Sequence, residues 1–516
     1  MRKYINGTNF DFGSNDKPWF AVPFSDSDAQ SDSFNFFPDP DVPTQVSLQV
    51  HATSTSSSSS TQLVSSTSTI TDVDYHWDGI TFAQSGGYYP PDNALAAGAN
   101  VVITAENDAI QITTLQGTNP QTESLNTFFG PVMTSGYFLT DPRILYDAVH
   151  HQFIVTVDEV SNNLTSSYIL MAVSKSDLTT TSLSSANWQF QTASTTYNVN
   201  GITTWSDQPL VAVDGHNIYV STNQFSASGT YEGSVLTVLD DGLFTGSVSN
   251  LVSVTTYASP SYQTAEIVGG GPYYGEYLVA NTHNSLSIFE SVGGVNTTPL
   301  AVSLGSIDFG NGVYSASQYG TRYKLDAGDG RVTSAAYDSV NEKLYVVFEG
   351  QPSSSNTTPS VEWVQLDMHA FNSTGGATAP TVLHAGNLNS LLPTTGATAG
   401  AATFNGSVAV DGNGDALFNF NVSGPHMYPS DYFTFWKSAG SAAATTTPNL
   451  VAPIDYHDSV AAYIDPSHDS VGRWGDYSTA TFDPAHANGF YISNEFDNGK
   501  ILGYSSWGTS VDHILV

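Results

Sequence analysis

Apolar and polar residues alternate in short runs along most of this chain, and turn residues separate one run from the next. One clear set is Asp141-Pro142-Arg143-Ile144-Leu145-Tyr146-Asp147, Gln152-Phe153-Ile154-Val155-Thr156-Val157, Tyr168-Ile169-Leu170-Met171-Ala172-Val173 and Trp188-Gln189-Phe190. Another is Leu210-Val211-Ala212-Val213-Asp214, Asn217-Ile218-Tyr219-Val220-Ser221, Val235-Leu236-Thr237-Val238 and Leu251-Val252-Ser253-Val254. Alternation with period two places successive side chains on opposite faces of a strand, so each run predicts a strand and each set a sheet. Helical periodicity is nearly absent.

Related sets fall before and after these two. The hairpin at 100–105 and 109–113 precedes them; units near 262–308, 328–388 and 403–455 follow, and the stretch from Gly472 to Tyr504 closes the chain. A four-stranded unit repeating every 45 to 60 residues or so is the signature of a propeller blade, and a sandwich does not repeat one internal order this often. The expected fold is therefore all-β: a single seven-bladed β-propeller over residues 85–516, with six or eight blades also compatible with the spacing. Residues 1–84 are read as an N-terminal extension, with a Pro-rich aromatic stretch at 34–43, an alternating run at Val46, Leu48 and Val50, and a Ser/Thr tract from Thr53 to Thr61. This arm would pack along its own propeller or reach a neighbouring subunit. The edge that closes the ring would come from Val511, Ile514, Leu515 and Val516 or from the strand near Val46.

Composition adds a strong charge constraint. Twelve Lys and Arg stand against 47 Asp and Glu in 516 residues, a formal net charge of -35. Such a field repels phosphate backbones and anionic lipid surfaces, which argues against nucleic-acid or membrane binding, and it attracts multivalent cations. With no cysteine, neither disulfides nor thiolate sites hold the fold, and the chain is long enough to bury an ample core without them. Scarce Lys with abundant Ser, Thr, Asn and Gly predicts an extracellular or bacterial cell-surface setting. No apolar h-region follows Met1-Arg2-Lys3, so a removed signal or a route other than Sec is expected, and no apolar run reaches the roughly 20 residues that span a bilayer.

Residue identities then add a resemblance. Asp141-Pro142-Arg143 with Tyr146-Asp147, Asp207-Gln208-Pro209 leading to Thr222-Asn223-Gln224-Phe225, Ser423-Gly424-Pro425-His426-Met427-Tyr428-Pro429-Ser430 and Arg473-Trp474-Gly475-Asp476-Tyr477-Ser478 resemble motifs of a group of uncharacterised secreted bacterial β-propeller proteins, over roughly residues 85 to 516. The resemblance implies the fold and the extracellular setting and carries no assigned chemistry. Sialidases share the architecture, but their Ser-x-Asp-x-Gly-x-Thr-Trp box has no match here.

Few stretches point to chemistry. Asp411-Gly412-Asn413-Gly414-Asp415 sets oxygen-bearing side chains at alternate positions of a glycine-rich loop, a pattern suited to calcium, so Asp411, Asn413 and Asp415 are candidate ligands. The alternative is a hairpin turn. Asp240-Asp241-Gly242 and Asp326-Ala327-Gly328-Asp329-Gly330 are weaker versions. Arg143, Arg322, Arg331 and Arg473 could clamp a substrate carboxylate, although acids lie beside most of them in sequence and predict local ion pairs. His426 and His457 with Asp455 and Asp458 are candidates for acid and base work. The histidines form no HExxH pattern, and there is no Gly-x-Ser-x-Gly elbow. Asn-x-Ser/Thr sequons begin at Asn6, Asn163, Asn296, Asn356, Asn372, Asn405 and Asn421 and receive no function. Two expectations follow. The first is a non-catalytic protein that binds other copies of itself or a surface glycan, with calcium bridging acidic loops. The second is a polysaccharide lyase or glycoside hydrolase acting at the central face, where at least two of the four arginines would meet a tyrosine and a carboxylate in one open pocket.

Overall fold

The computed structural model describes residues 44–45, 73–257, 261–268, 275–282, 284–304, 314–351, 357–438, 450, 452–465, 471–501 and 503–516. The aromatic stretch at 34–43, the run from Val46 to Val50, the Ser/Thr tract, and Asn6 and Asn356 lie outside these residues. Strands dominate, and the all-β expectation holds. Among the described residues the two α-helices, Leu125–Phe128 and His369–Ser373, are single turns, and no helix is long and apolar enough to cross a membrane.

Among the described residues, seven sheets of four or five strands account for most of the structure, six of them built mainly from strands consecutive in the chain. The first sheet comprises Ala94–Ala97, Val101–Glu106, Ala109–Thr114 and Gln121–Ser124. The second runs Tyr137–Asp147, Gln152–Ser161, Ser167–Ser174 and Trp188–Ser194. Ile202–Val213, Asn217–Ser226, Tyr231–Asp240 and Leu251–Tyr257 form most of the third. Gln263–Thr264, Glu276–Asn281 and Ser285–Val292 lead the fourth, and Val332–Asp338, Lys343–Gly350, Ser360–Asp367 and Thr381–Asn387 the fifth. The sixth holds Ala402–Val410, Ala416–Gly424, Met427–Trp436 and Ile454–Asp458.

The seventh sheet draws on both ends of the chain. Thr479–Phe482, Gly489–Ile501 and Tyr504–Leu515 are joined at the outer edge by Val73–Thr81, paired antiparallel with Trp77 opposite Val511. This closing strand falls within the stretch that hydropathy assigns to the extension. The short pair Thr44–Gln45 joins Tyr88–Tyr89 instead.

The innermost strands pack side by side in a closed circle, with Thr479–Phe482 of the seventh sheet returning to Ala94–Ala97 of the first. Each sheet therefore has a neighbour on both faces. Accordingly Gln152–Ser161 is buried at every position, polar ones included. The core is divided the same way, into layers between adjacent sheets. Leu139, Phe153 and Leu170 meet Ile103 and Ile112; Phe433 and Phe435 meet Phe490 and Ile492; Tyr491 and Val511 meet Leu95 and Val102. Each buried leucine, isoleucine or phenylalanine in such a layer contributes about 1.5–3 kcal/mol relative to exposure.

A recurrent aspartate ends the innermost strands. Asp147, Asp214, Asp338, Asp411 and Asp483 each accept through Oδ1 the backbone N–H of the residue two further on, at 2.8, 2.8, 3.0, 2.8 and 2.8 Å. This Asx turn satisfies an otherwise orphaned donor at the tight reversal into the next strand, so part of the chain's acidity is structural.

Candidate functional site: the central polar face

The opposite ends of the innermost strands carry bulges. Register shifts occur between Thr140 and Arg143, between Asp207 and Leu210, and between Phe404 and Ser407. Asp141, Gln208 and Asn405 sit at these points with φ of 55, 49 and 54°, and Asp92, just before the first sheet's inner strand, has φ of 52°. A bulge adds one residue and bends the strand, which re-aims the backbone and side chains around it. Here the result is one connected polar belt. Asp476 N–H donates to Asp92 Oδ1 (2.8 Å), Asn107 Nδ2 donates to Asp92 Oδ2 (2.7 Å), Asp141 N–H donates to Asn107 Oδ1 (2.9 Å) and Gln208 N–H donates to Asp141 Oδ2 (3.0 Å). The belt thus ties the seventh, first, second and third sheets together. Arg331 extends it by donating to Gln208 Oε1 while Asp329 holds its Nε and Nη2 at 2.8 and 2.6 Å.

Three of the four arginines singled out in the sequence meet this face. Arg331 is clamped by Asp329, Arg473 reaches Asp476 Oδ2 at 3.3 Å, and Arg143 donates from Nε to the Pro209 carbonyl at 3.1 Å while lying over the Tyr477 ring. Burial works to raise the Asp329 carboxyl, but Arg331 beside it outweighs this and holds it below the usual range. Arg322 stands apart, 5.8 Å from the Tyr323 ring centre. Arg473 to Ser478 lies in the belt: Trp474 donates to Asn421 Oδ1 at 2.9 Å, and Gly475 N–H donates to Glu495 Oε2 at 2.8 Å.

Several carboxyls are buried within the sheets, and four of them, Glu106, Asp158, Glu349 and Glu495, lie close to the belt. Burial lifts Glu106, Asp158, Glu276 and Glu495 well above the usual carboxylate range and pushes Glu349 and Glu362 up to about 8. Among the described residues one oxygen of each has no hydrogen-bond partner, which is tolerable for a neutral acid and prohibitive for a carboxylate. Their burial keeps them out of reach of a substrate.

A cavity of about 140 Å³ runs along the axis, lined by residues from the innermost strands. Hydroxyls of Thr333, Ser334, Ser407, Ser478, Thr479 and Thr481 dominate its polar lining, with Arg143 and Glu266 as its charged groups. Thr481 Oγ1 donates to Glu266 Oε1 at 2.9 Å, and burial pushes Glu266 up to about 7. This volume holds a few waters or a small ion.

The remaining candidates are engaged in local structure. Asp411 Oδ1 accepts the N–H groups of Asn413 and Asp415 at 2.8 and 2.9 Å, while Asp415 Oδ1 accepts Ser438 N–H at 2.6 Å. Gly414, with φ of +82°, completes the reversal, so 411–415 adopts the hairpin turn. Asp240 and Asp326 likewise cap their own turns, through Gly242 N–H at 3.2 Å and Gly328 N–H at 3.0 Å. His457 stacks on His76 and against Phe496; burial pushes it down to about 4, and Asp455, raised to about 7 by burial, accepts Tyr432 Oη. Asp458 accepts Ser430 Oγ at 2.7 Å. Asn107 and Glu266 escaped sequence reading, because nothing local distinguishes them from other acids and amides of an acidic chain.

No family profile and no curated protein matches the chain. Among solved structures, the β-propeller domain of Cps50 (Swd1) from Myceliophteria thermophila aligns with 8% identity over 86% of this chain and 99% of its own, at a TM-score of 0.39. The α-L-arabinofuranosidase Arb93A of Fusarium graminearum gives 9% identity, coverage of 82 and 92% and a TM-score of 0.36. The polysaccharide lyase Uly1 gives 8%, 82 and 90%, and 0.37. At these values the function rests on the residues themselves.

Proposed function

We propose that the chain is a seven-bladed β-propeller, extracellular or displayed at a bacterial surface, that acts without catalysis in binding and self-assembly. The observation that carries this reading is the closure of the central face. Arg331, Arg473 and Arg143 are each engaged by a neighbouring carboxylate, ring or carbonyl, and the acids close to the belt are buried. A substrate carboxylate would have to displace Asp329 or Asp476 to reach Arg331 or Arg473, and a hydrolase needs two carboxyls that touch its substrate.

The rim offers a surface better suited to contact. Leu251–Tyr257, the outer strand of the third sheet, contains no charged residue in a chain of net charge -35, and Leu251 is 61% exposed. Val252 and Val254 are also exposed, as are Val292 and Val295 on the hairpin beside them, where Asn296 Nδ2 donates to Thr255 Oγ1. An uncharged, apolar sheet edge is where two strongly negative copies repel least, so a second copy is its partner in this reading. Calcium is the ion that would bridge acidic loops between copies. Light scattering after size exclusion, with and without EDTA, with residues 1–60 deleted and with Val252→Lys/Val254→Lys, tests this. Assembly lost in the double lysine variant supports it; a monomer under every condition sinks it.

One observation favours a second reading, a polysaccharide lyase or glycoside hydrolase. Glu266, with its carboxyl near 7, shares the axial cavity with Arg143. Turnover of neutral or uronate glycans that disappears in Glu266→Gln would establish it.

A further inference from the structure

The turn that follows the seventh sheet's innermost strand differs in its surroundings from its counterparts. Asp483 caps it through Oδ1, which accepts Ala485 N–H, and this fixes the carboxylate with Oδ2 directed at two imidazoles. His486 Nδ1 lies 2.7 Å from that oxygen and His513 Nε2 2.9 Å. The three ligand atoms lie within 4.8 Å of one another. His513 is buried, and its other nitrogen, Nδ1, is 3.2 Å from Asp74 Oδ2 on the closing N-terminal strand. A carboxylate on Nδ1 fixes the proton there and presents the Nε2 lone pair to the cluster, the usual outer arrangement behind a metal-binding histidine.

An internal control stands in the second sheet. Asp147 and His150 repeat the Asp-x-x-His turn, with Asp147 Oδ2 and His150 Nδ1 2.5 Å apart, but His150 stacks flat on Phe244, and among the described residues no third ligand joins them. The turn alone is therefore a structural motif. What distinguishes the seventh sheet is His513, delivered by the C-terminal strand, and Asp74, delivered by the N-terminal one.

We propose that Asp483, His486 and His513 bind a divalent transition metal of the zinc class, with Asp74 as a positioning residue. Two imidazoles and one carboxylate suit Zn²⁺ better than calcium, which prefers oxygen ligands. Tetrahedral ligation at about 2.0–2.1 Å needs donor separations of about 3.3 Å, so the two separations between Asp483 and the imidazoles open by a few tenths of an ångström. His486, 51% exposed, can make that movement and leaves a side open for a water as fourth ligand. The metal would join the turn to the last strand, and through Asp74 to the strand that closes the ring.

The test uses the full chain. Zn²⁺ titrated by calorimetry into chelator-treated protein binds at one equivalent, and Tm rises with free zinc. His486→Ala, on an exposed side chain, folds as wild type and weakens binding at least ten-fold; Asp74→Asn weakens it about ten- to hundred-fold; His150→Ala leaves it unchanged. If zinc neither binds stoichiometrically nor raises Tm, or if His486→Ala binds as tightly as wild type, His513 is a histidine held between two aspartates and the site does not exist.

Discussion

The guanidinium carbon of Arg143, on the second sheet, lies 3.4 Å from the centre of the Tyr477 ring, on the stretch that leads into the seventh. The contact crosses the central face and reinforces the belt that joins those two sheets through the first. Arg143→Ala removes it together with the bond to the Pro209 carbonyl, at an expected loss of about 2–3 kcal/mol. Tyr477→Phe keeps the ring and removes a buried hydroxyl that has no hydrogen-bond partner among the described residues, so it is neutral or slightly stabilising. Chemical denaturation of the two variants separates them; equal losses would show that the hydroxyl, and not the stacked cation, matters.

The buried carboxyls set an unusual pH dependence. Burial pushes Glu349 and Glu362 up to about 8 and Glu266 to about 7, against roughly 4.3 in an unfolded chain. Between those values the folded state holds protons that the unfolded state has released. Stability is therefore full below about pH 4.5 and falls as pH rises through about 8. Asp329 works in the other direction, since its carboxyl is held below the usual range and its stabilisation fades only in stronger acid. The expected Tm is highest near pH 4–5 and declines toward pH 8.5, and Glu349→Gln flattens the decline by raising Tm at the alkaline end. Scanning calorimetry across that range checks this; a Tm that climbs with pH would contradict it.

Much of the strand order could be read directly from the chain, because burial on both faces leaves dense apolar runs such as Phe153 to Val157 and Ile169 to Val173 between turn residues. The recurring aspartates were visible as well, but the residue types that wrap a cation are also those that cap a turn, and the pattern from Asp411 to Asp415 does not distinguish the two. Val73–Thr81 escaped for a different reason. Only its last part is buried, Asp74, His76 and Asp78 are polar and exposed, and its partner strand lies at the far end of the chain. The belt was hidden by the same non-locality: Asp92 meets Asp476, and Asp141 meets Gln208, only once the ring has closed.

The turn at Asp411 gives a direct comparison between capping and ligation. Asp411→Ala leaves two N–H groups without their acceptor and costs about 1–3 kcal/mol. Asp411→Asn keeps an oxygen for both and holds the wild-type Tm, with or without calcium. A calcium-dependent Tm in the wild type that the asparagine variant loses would instead make Asp411 a ligand.

The closing strand makes the sharpest claim about the fold. Ile80 is fully buried and belongs to the cluster that includes Phe82, Tyr89 and Trp507, and Thr509 Oγ1 donates to the Ile80 carbonyl at 3.2 Å. Ile80→Ala should cost about 2–5 kcal/mol through the cavity it leaves. Removing the strand altogether does more, because Tyr504–Leu515 would then be an open edge with unpaired N–H and C=O groups. A chain of residues 73–516 should accordingly be soluble and cooperatively folded, while one of residues 85–516 melts lower and aggregates. Hydrogen exchange gives the residue-level signature, since amides of 504–515 that pair with the N-terminal strand lose protection only in the shorter chain. Equal melting temperatures and equal protection in the two chains would mean that the ring closes without Val73–Thr81.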